Sequence, residues 1–317
     1  MKKKELRIVF MGTPEFAVAT LKLLVENDYQ IVGVITAPDR PAGRGQKLQQ
    51  SDVKQYALSK NLTLLQPTNL KDAAFLKELK SLDANVQIVV AFRMLPEVVW
   101  KMPKYGTFNL HASLLPDYRG AAPIHWAVIN GEKTTGVTTF FIDDKIDTGA
   151  IILQKEVSIE EDETVGTLHD TLQEVGSELV IDTLKLIETD TVKTTVQPKV
   201  EQPKTAYKLN KANCKIDWSQ DLDAIYNKIR GLNPFPGAWC YLKTKDEKLT
   251  VKLFAVSKEE VSHSEAPGTI ITTKNELKVG VQGGYLFINE MQLPGKRKME
   301  IKSLLNGFSF SEDDKML

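Results

Sequence analysis

The chain has 317 residues, more than a single hydrophobic core usually supports, so we expect two domains. It is 42% hydrophobic and 26% charged, and its 41 basic residues balance its 41 acidic ones. This composition excludes a disordered or fibrous chain, and the zero net charge argues against strong non-specific binding of nucleic acid. The longest apolar runs, 31–35 and 87–92, are far shorter than the ~20 residues that cross a bilayer, so we expect no membrane contact.

The N-terminus and the cysteines indicate a cytoplasmic protein. Residues 2–4 are lysines, but the apolar run that follows them is too short for a secretory signal. Cys214 and Cys240 lie far apart without a pairing pattern, which is typical of reduced, buried thiols. With 2 cysteines and 4 histidines the chain has no metal-ligand spacing, so we expect no metal. We also expect a monomer.

The first 190 residues alternate between strand and helix patterns. A continuous apolar run at 6–11 predicts a buried strand, and Gly12-Thr13-Pro14 then turns the chain into a helix. Further strands are predicted at 31–36, 63–65, 86–91, 107–110 and 136–142, with helices at 49–58, 73–80 and 124–129. This alternation predicts a Rossmann-like, doubly wound and mainly parallel sheet.

The pattern changes after residue 165. Apolar residues at helical spacing predict one long amphipathic helix that ends near Ile187, and 189–203 lacks any period. A helix at 222–229 and short strands at 239–243, 249–256, 268–272, 277–281 and 285–291 follow, before a helical turn at 302–305. We therefore predict a domain at 1–189, a linker at 190–206 and a small antiparallel β-barrel of OB-like type at 207–317.

Two polar side chains stand at the end of the strand at 107–110. Asn109 and His111 are two residues apart, so in extended chain they project from the same face. Open α/β sheets bind ligands at the carboxyl ends of their parallel strands. An amide can donate to an oxygen that becomes negative, and an imidazole moves protons near pH 7. The pair therefore suggests an acyl-transfer site, although the same spacing also arises by chance.

A turn with three carboxylates follows the strand at 136–142. Asp143, Asp144 and Asp147 precede Thr148-Gly149, and such a cluster is usually a solvated loop. If the loop folds over the strand ends, one carboxylate reaches His111 and fixes its tautomer and charge. The turn at Gly12 lacks the three glycines of a dinucleotide-binding loop, so NAD binding is not expected.

These segments together resemble a known family. NLHASLLP at 109–116, RGAAPI at 119–124 and DTG at 147–149 are similar to the folate-dependent formyltransferases. FMGTPEFA at 10–17, PDRPAGRG at 38–45 and IRGLNPFPGAW at 229–239 narrow the resemblance to those members that formylate methionyl-initiator-tRNA. The resemblance spans nearly the whole chain, in order.

The resemblance implies a reaction and a set of site residues. The reaction is transfer of a formyl group from 10-formyltetrahydrofolate to the amino group of methionyl-initiator-tRNA, with Asn109, His111 and Asp147 as the catalytic trio. The implied folate-binding residues are Ser113, Leu114, Leu115, Pro116, Phe92 and Asp144. Contacts to the tRNA are implied for a Gly-rich loop with Arg40, Arg44 and Lys47, and a basic surface of the second domain adds Lys208 and Arg230. Guanidinium groups on such a loop suit phosphates and unpaired bases.

One departure and several alternatives remain. Where the family has an aromatic residue, a glycine and an apolar run before Leu-Pro, this chain reads Phe92-Arg93-Met94-Leu95-Pro96, without the glycine and one residue shorter. Glycinamide ribonucleotide and amino-sugar formyltransferases share the Asn, His and Asp arrangement, and a hydrolase would use water in place of the amine. A tRNA- or folate-binding module without activity would not need all three residues.

Overall fold

The computed structural model describes residues 4–42, 47–245 and 247–317, and it divides the chain into two compact units. The first unit comprises Met1–Gly120, Thr135–Val157 and His169–Thr205. The second unit comprises Ala121–Thr134, Ser158–Leu168 and Ala206–Leu317. No helix within the described residues is both long and apolar enough to cross a membrane.

The elements up to residue 206 follow the predicted alternation of strand and helix. In chain order they are β1 (Arg7–Gly12), α1 (Glu15–Glu26), β2 (Gln30–Ile35), β3 (Arg40–Ala42), β4 (Lys47–Gln49), α2 (Asp52–Ser59), β5 (Leu64–Leu65), α3 (Ala73–Ser81), β6 (Val86–Val90), α4 (Glu97–Trp100), β7 (Thr107–His111), β8 (Arg119–Gly120), α5 (Pro123–Ile129), β9 (Thr134–Phe141), β10 (Ile151–Ser158), α6 (Val165–Thr189) and β11 (Thr205–Ala206).

The first unit is built on a seven-stranded sheet in the order β10-β9-β7-β6-β1-β2-β5. Strands β5, β2, β1, β6 and β7 run parallel to one another. Strand β9 runs antiparallel to β7. The prediction of a Rossmann-like, mainly parallel sheet is confirmed. Strand β10 was not predicted, because residues 153–157 at this sheet edge are mostly exposed and polar and show no apolar alternation.

Alternate residues of the central strands bury their side chains among the helices. Val9 and Met11 of β1 belong to one apolar cluster with Ile35 of β2, and Phe75 and Leu79 of α3 complete one side of it. Burial of each such side chain contributes roughly 1.5–3 kcal/mol. This packing fixes the carboxyl ends of β1, β6 and β7 at one edge of the sheet.

The segment predicted as a linker contacts the first unit. Thr195 and Ile151 exchange two backbone hydrogen bonds, with N···O distances of 2.8 and 2.9 Å. The predicted boundaries therefore differ from the observed division, which keeps 190–205 with the first unit and assigns α5 to the second. A polar segment can pair with a sheet edge through its backbone N–H and C=O groups. The periodicity of its side chains does not indicate such pairing.

The second unit is an antiparallel β domain around one apolar core. Its elements after β11 are α7 (Leu222–Arg230), β12 (Ala238–Lys243), β13 (Lys248–Leu253), β14 (Val256–Glu260), β15 (Ile270–Thr272), β16 (Leu277–Val281), β17 (Gly284–Ile288), β18 (Glu290–Gln292), β19 (Met299–Glu300), α8 (Ile301–Leu305) and β20 (Lys315–Met316).

The strands of the second unit form two sheets that share this core. One sheet has the order β19-β18-β13-β12-β20 and the other β14-β17-β16-β15. A hydrogen bond of 2.9 Å from Met316 N to Gly268 O links the two sheets beside β15 and β20. The predicted C-terminal domain of antiparallel strands is confirmed.

Candidate functional site

Asn109 and His111 lie on β7, the last of the parallel strands. Asn109 pairs with Val89 of β6 on one side and with Phe140 of β9 on the other. Its side chain is half-buried, and its amide makes no hydrogen bond to any of the described residues. His111 is buried at the carboxyl end of the same strand. The strand therefore presents an amide and an imidazole from one face, as the spacing predicts.

The hydrogen bonds of His111 define its tautomer. Its Nε2 lies 2.9 Å from the carbonyl oxygen of Tyr118, and because a carbonyl only accepts, Nε2 carries a proton. In the neutral ring Nδ1 is then the free acceptor. Nδ1 lies 3.8 Å from Oδ2 of Asp147, whose side chain is 16% exposed. A proton taken up at Nδ1 is therefore stabilised by a nearby carboxylate.

Asp147 and its turn are held in place by residues distant in sequence. Its Oδ2 accepts a hydrogen bond of 2.9 Å from the backbone N–H of Gly120. The Nε2 of Gln197 donates to the carbonyl oxygens of Asp147 and Gly149 at 2.9 and 2.8 Å. A Cβ atom at Gly149 would lie 1.6 Å from the Phe141 carbonyl oxygen, so only glycine lets the turn approach β9 this closely.

The structure distinguishes the three carboxylates of this turn. Asp143 accepts from the Thr148 hydroxyl at 2.7 Å and from the Lys145 N–H at 3.1 Å, so it stabilises the turn itself. Asp144 is exposed to solvent. Only Asp147 faces His111. The residue pattern alone left open which carboxylate would do so, whereas the family resemblance implied Asp147. The folate contact of Asp144 stays a prediction.

The segment after β7 is mainly buried. Ser113 is fully buried, and its hydroxyl donates to the Asp117 carbonyl at 2.7 Å, so this side chain stabilises the loop. Leu115 is buried in a small cluster with Phe140 and Ile151. Leu114 and Pro116 are half-buried, and their contact with folate stays a prediction.

The unusual segment at 92–96 has a structural explanation. The guanidinium of Arg93 donates to the carbonyl oxygens of Pro67 and Thr68, the latter at 2.9 Å, and it lies 5.7 Å from the centre of the Phe92 ring. Burial, and to a lesser extent the positive charge of Arg40, lower the pKa of Arg93. Arg93 therefore joins two loops, and Phe92 remains half-buried beside it.

The residues predicted to contact RNA differ in their exposure. Arg40 is exposed and opens β3, which pairs with β4, where Lys47 stands. Arg44 lies outside the described residues, and the Lys47 side chain is not described either. In the second unit Lys208 is exposed.

Arg230 requires a correction. It is only 4% exposed, and it donates to Asn227 Oδ1 and to the Glu163 carbonyl oxygen, both at 2.8 Å. It therefore stabilises the second unit from within and is not part of a basic surface. The position of Arg230 in the sequence of α7 did not indicate that its side chain is buried.

Gln197, Gly120 and Tyr118 take part in the site without having been predicted. Gln197 lies in a polar segment without period, and the other two act through backbone atoms, which the sequence does not reveal. Among the described residues no group of three or more His, Cys, Asp and Glu side chains is arranged to hold a metal. Burial raises the pKa of the Cys214 thiol, and that of Cys240 to about 12, so neither is an activated nucleophile.

Comparison with known proteins gives consistent results for both units. The family model for formyl transferase matches residues 6–184, and that for the formyl transferase C-terminal domain matches residues 208–309. Methionyl-tRNA formyltransferase of Flavobacterium johnsoniae is 60% identical over 313 residues, which is 99% of each chain. The enzyme of the same name from Bacteroides thetaiotaomicron is 51% identical over 321 residues, covering 100% of both chains.

Solved structures show the same fold at low identity. An N-formyltransferase from Helicobacter canadensis, in complex with folinic acid and dTDP-3-aminofucose, has a TM-score of 0.67 at 20% identity, covering 93% of this chain and 100% of its own. HypX from Aquifex aeolicus, in complex with tetrahydrofolic acid, has a TM-score of 0.64 at 19% identity. It covers 96% of this chain and 47% of its own.

Proposed function

Because the chain belongs to the formyl transferase family, we propose that it transfers the formyl group of 10-formyltetrahydrofolate to the amino group of methionyl-initiator-tRNA. The observation that carries this proposal is the identity of 51–60% to methionyl-tRNA formyltransferases over essentially the whole chain. The match extends to the second unit, where the family model for the C-terminal domain covers residues 208–309.

The half-buried amide of Asn109 is suited to stabilise developing negative charge. The bound folate supplies the formyl group, whose oxygen becomes negative as the amine attacks. The Asn109 side chain makes no hydrogen bond to the described residues, so its N–H groups are available to that oxygen. A preorganised donor of this kind contributes about 10²–10³ in rate in other acyl-transfer enzymes.

His111 and Asp147 manage the proton in this proposal. The attacking amine must be neutral and loses a proton as the new bond forms, while the leaving nitrogen gains one. Nδ1 of His111 takes up a proton on the side of Asp147, and the Tyr118 carbonyl holds the other ring nitrogen. The carboxylate stabilises the imidazolium, and no covalent bond to the enzyme is needed.

We assign the folate to the carboxyl ends of the parallel strands. The half-buried Phe92, Leu114 and Pro116 offer apolar surface to a flat ring there, while Ser113 and Leu115 support the loop from within. Asp144 is exposed and is the proposed polar contact on the neighbouring turn. These residues fit an aromatic, partly polar molecule.

We assign the tRNA to the basic residues Arg40, Arg44, Lys47 and Lys208. Arg40 and Lys208 are exposed and free to meet phosphates. The same proposal includes a monomeric state. It also includes a cytoplasmic location, where the charged initiator tRNA is made.

A competition between acceptors tests the proposal. The protein is incubated with 10-formyltetrahydrofolate and, in separate reactions, with methionyl-initiator-tRNA, glycinamide ribonucleotide, an amino sugar nucleotide or buffer alone. We expect formyl transfer to the methionyl-tRNA only. Faster transfer to either small amine, or release of formate at the same rate without an acceptor, would overturn it.

A further inference from the structure

The second unit contains a cavity outside the catalytic trio. It has a volume of about 580 Å³, within the range of ~300–1,000 Å³ that is typical of small-molecule pockets. Its walls come from α5, from the start of the β domain and from the turn before β12. The lining residues used below are His125, Lys208, Lys211, Phe235, Trp239 and Lys252.

The cavity carries an aromatic ring that faces solvent on a fixed backbone. Phe235 is 77% exposed. Single exposed aromatic residues are common on protein surfaces, so this exposure alone does not indicate a binding site. Its carbonyl oxygen accepts a hydrogen bond of 3.2 Å from Nε2 of His125, and the next carbonyl, of Pro236, accepts one of 2.7 Å from Nζ of Lys252. Because these two carbonyl groups accept hydrogen bonds, the backbone that carries the ring is held in place before any ligand binds.

The charges of the cavity are all positive. Lys208, Lys211 and Lys252 line it, and none of the described residues that line it is acidic. The ammonium of Lys211 lies 5.2 Å from the centre of the Trp239 ring, which forms part of the apolar wall. An aromatic surface beside several cations and no carboxylate matches a ligand that combines a flat ring with a negative charge.

We propose that this cavity binds one unstacked nucleotide of the aminoacylated RNA, with the base on the Phe235 ring and its phosphate beside Lys208. The inference rests on the proposed function and deepens it by naming a nucleotide-binding subsite in the second unit. An apolar peptide or an acyl chain would bring no negative charge to Lys208 and Lys211, so a nucleotide fits the lining better.

Steady-state kinetics of Phe235→Ala test the inference. Stacking of a base on an aromatic residue is worth about 1–3 kcal/mol, so the KM for methionyl-tRNA should rise about 5- to 150-fold. We expect kcat at saturating RNA and the KM for 10-formyltetrahydrofolate to stay within about twofold of the wild type. The Phe235 ring is not among the groups that we propose to take part in formyl transfer. Phe235→Trp retains a stacking surface and should restore most of the affinity.

Matched variants separate this effect from a general loss of surface. Val261→Ala removes another exposed apolar side chain of the second unit, and Lys302→Ala removes an exposed lysine that does not line the cavity. Both should behave as the wild type, whereas Lys208→Ala should raise the RNA KM. A Phe235→Ala enzyme with the RNA KM of the wild type would overturn the inference.

The result also distinguishes the inference from the proposed function. If the wild-type protein formylates methionyl-tRNA and Phe235→Ala does so with unchanged KM, the subsite is absent and the proposed function stands. If the wild-type protein does not formylate methionyl-tRNA, the proposed function itself fails. Ultraviolet cross-linking of bound tRNA, with peptides mapped by mass spectrometry, should join a base to residue 235, and cross-links confined to other residues would contradict the subsite.

Discussion

At the scale of single residues the site depends on one histidine with two different neighbours. The Tyr118 carbonyl accepts from Nε2 of His111, while Asp147 faces Nδ1 from 3.8 Å. Since the carbonyl fixes which nitrogen carries the proton, we propose that the other nitrogen exchanges protons with the substrate. The carboxylate then stabilises the charged ring without accepting a hydrogen bond from it in this geometry.

Replacement of Asp147 by asparagine tests the role of its charge. The amide oxygen can still accept from the Gly120 N–H, so we expect the fold and folate affinity to be kept. Loss of the charge should lower kcat by about 10²–10⁴. Lys145→Ala, an exposed change on the same turn, is the control and should leave kcat unaltered. A rate for Asp147→Asn within threefold of the wild type would show that the carboxylate is not needed.

The two cysteines should be inert in the folded protein. Both are buried, and burial raises the pKa of Cys240 to about 12, so almost no thiolate forms at pH 8. We expect iodoacetamide to label neither thiol at pH 8 in the native protein and both after unfolding in guanidinium chloride. Rapid labelling of the native protein, read by mass spectrometry, would contradict this burial.

At the scale of elements, the turn that carries Asp147 depends on a segment distant in sequence. Gln197 binds two carbonyl oxygens of the turn through its amide nitrogen, and its amide oxygen accepts from Nε of Arg119 at 3.1 Å. The segment at 190–205 is therefore part of the support of the site.

Gln197→Ala should lower both stability and turnover. It leaves buried carbonyls without a donor, which costs about 1–3 kcal/mol in the free energy of unfolding. Since the turn is then free to shift, we expect kcat to fall about tenfold at temperatures where the variant is folded, with little change in either KM. Val196→Ala changes the neighbouring, 84% exposed residue and should have no effect. An unchanged kcat for Gln197→Ala would show that the turn holds Asp147 without help.

The elements also show which parts of the fold the sequence can predict. Strands β1 and β6 are almost entirely buried and read as mainly apolar runs, so their positions follow from composition. Strand β10 and the segment at 190–205 are held by backbone hydrogen bonds at a sheet edge, and their polar side chains do not report this. Asn109 and His111 were predicted from their spacing, whereas the buried Arg230 was expected at the surface because a cationic side chain in a short helix usually lies there.

At the scale of the whole molecule, the chain is neutral, with 41 basic and 41 acidic residues. We therefore expect RNA binding to depend on a few local cations and not on a general positive field. One family model matches 6–184 and the other 208–309, and two methionyl-tRNA formyltransferases match this chain over 99–100% of its length.

The salt dependence of RNA binding follows from this charge balance. If Arg40, Arg44, Lys47 and Lys208 each neutralise one phosphate, log KM for the RNA should rise with log salt concentration with a slope of about 3 to 4. The KM for folate should change much less over the same range. A slope near zero would remove these residues from the interface, and a slope near 10 would indicate a far larger one.

The central claim is that His111 carries out proton transfer during formylation of methionyl-initiator-tRNA. The most direct test is the single-turnover rate of formyl-methionyl-tRNA formation by His111→Ala, at saturating RNA and 10-formyltetrahydrofolate, compared with the wild type. We expect the rate to fall by at least about 10²-fold while folate binding, measured by calorimetry, is unchanged. A variant that formylates the RNA at nearly the wild-type rate would contradict the claim.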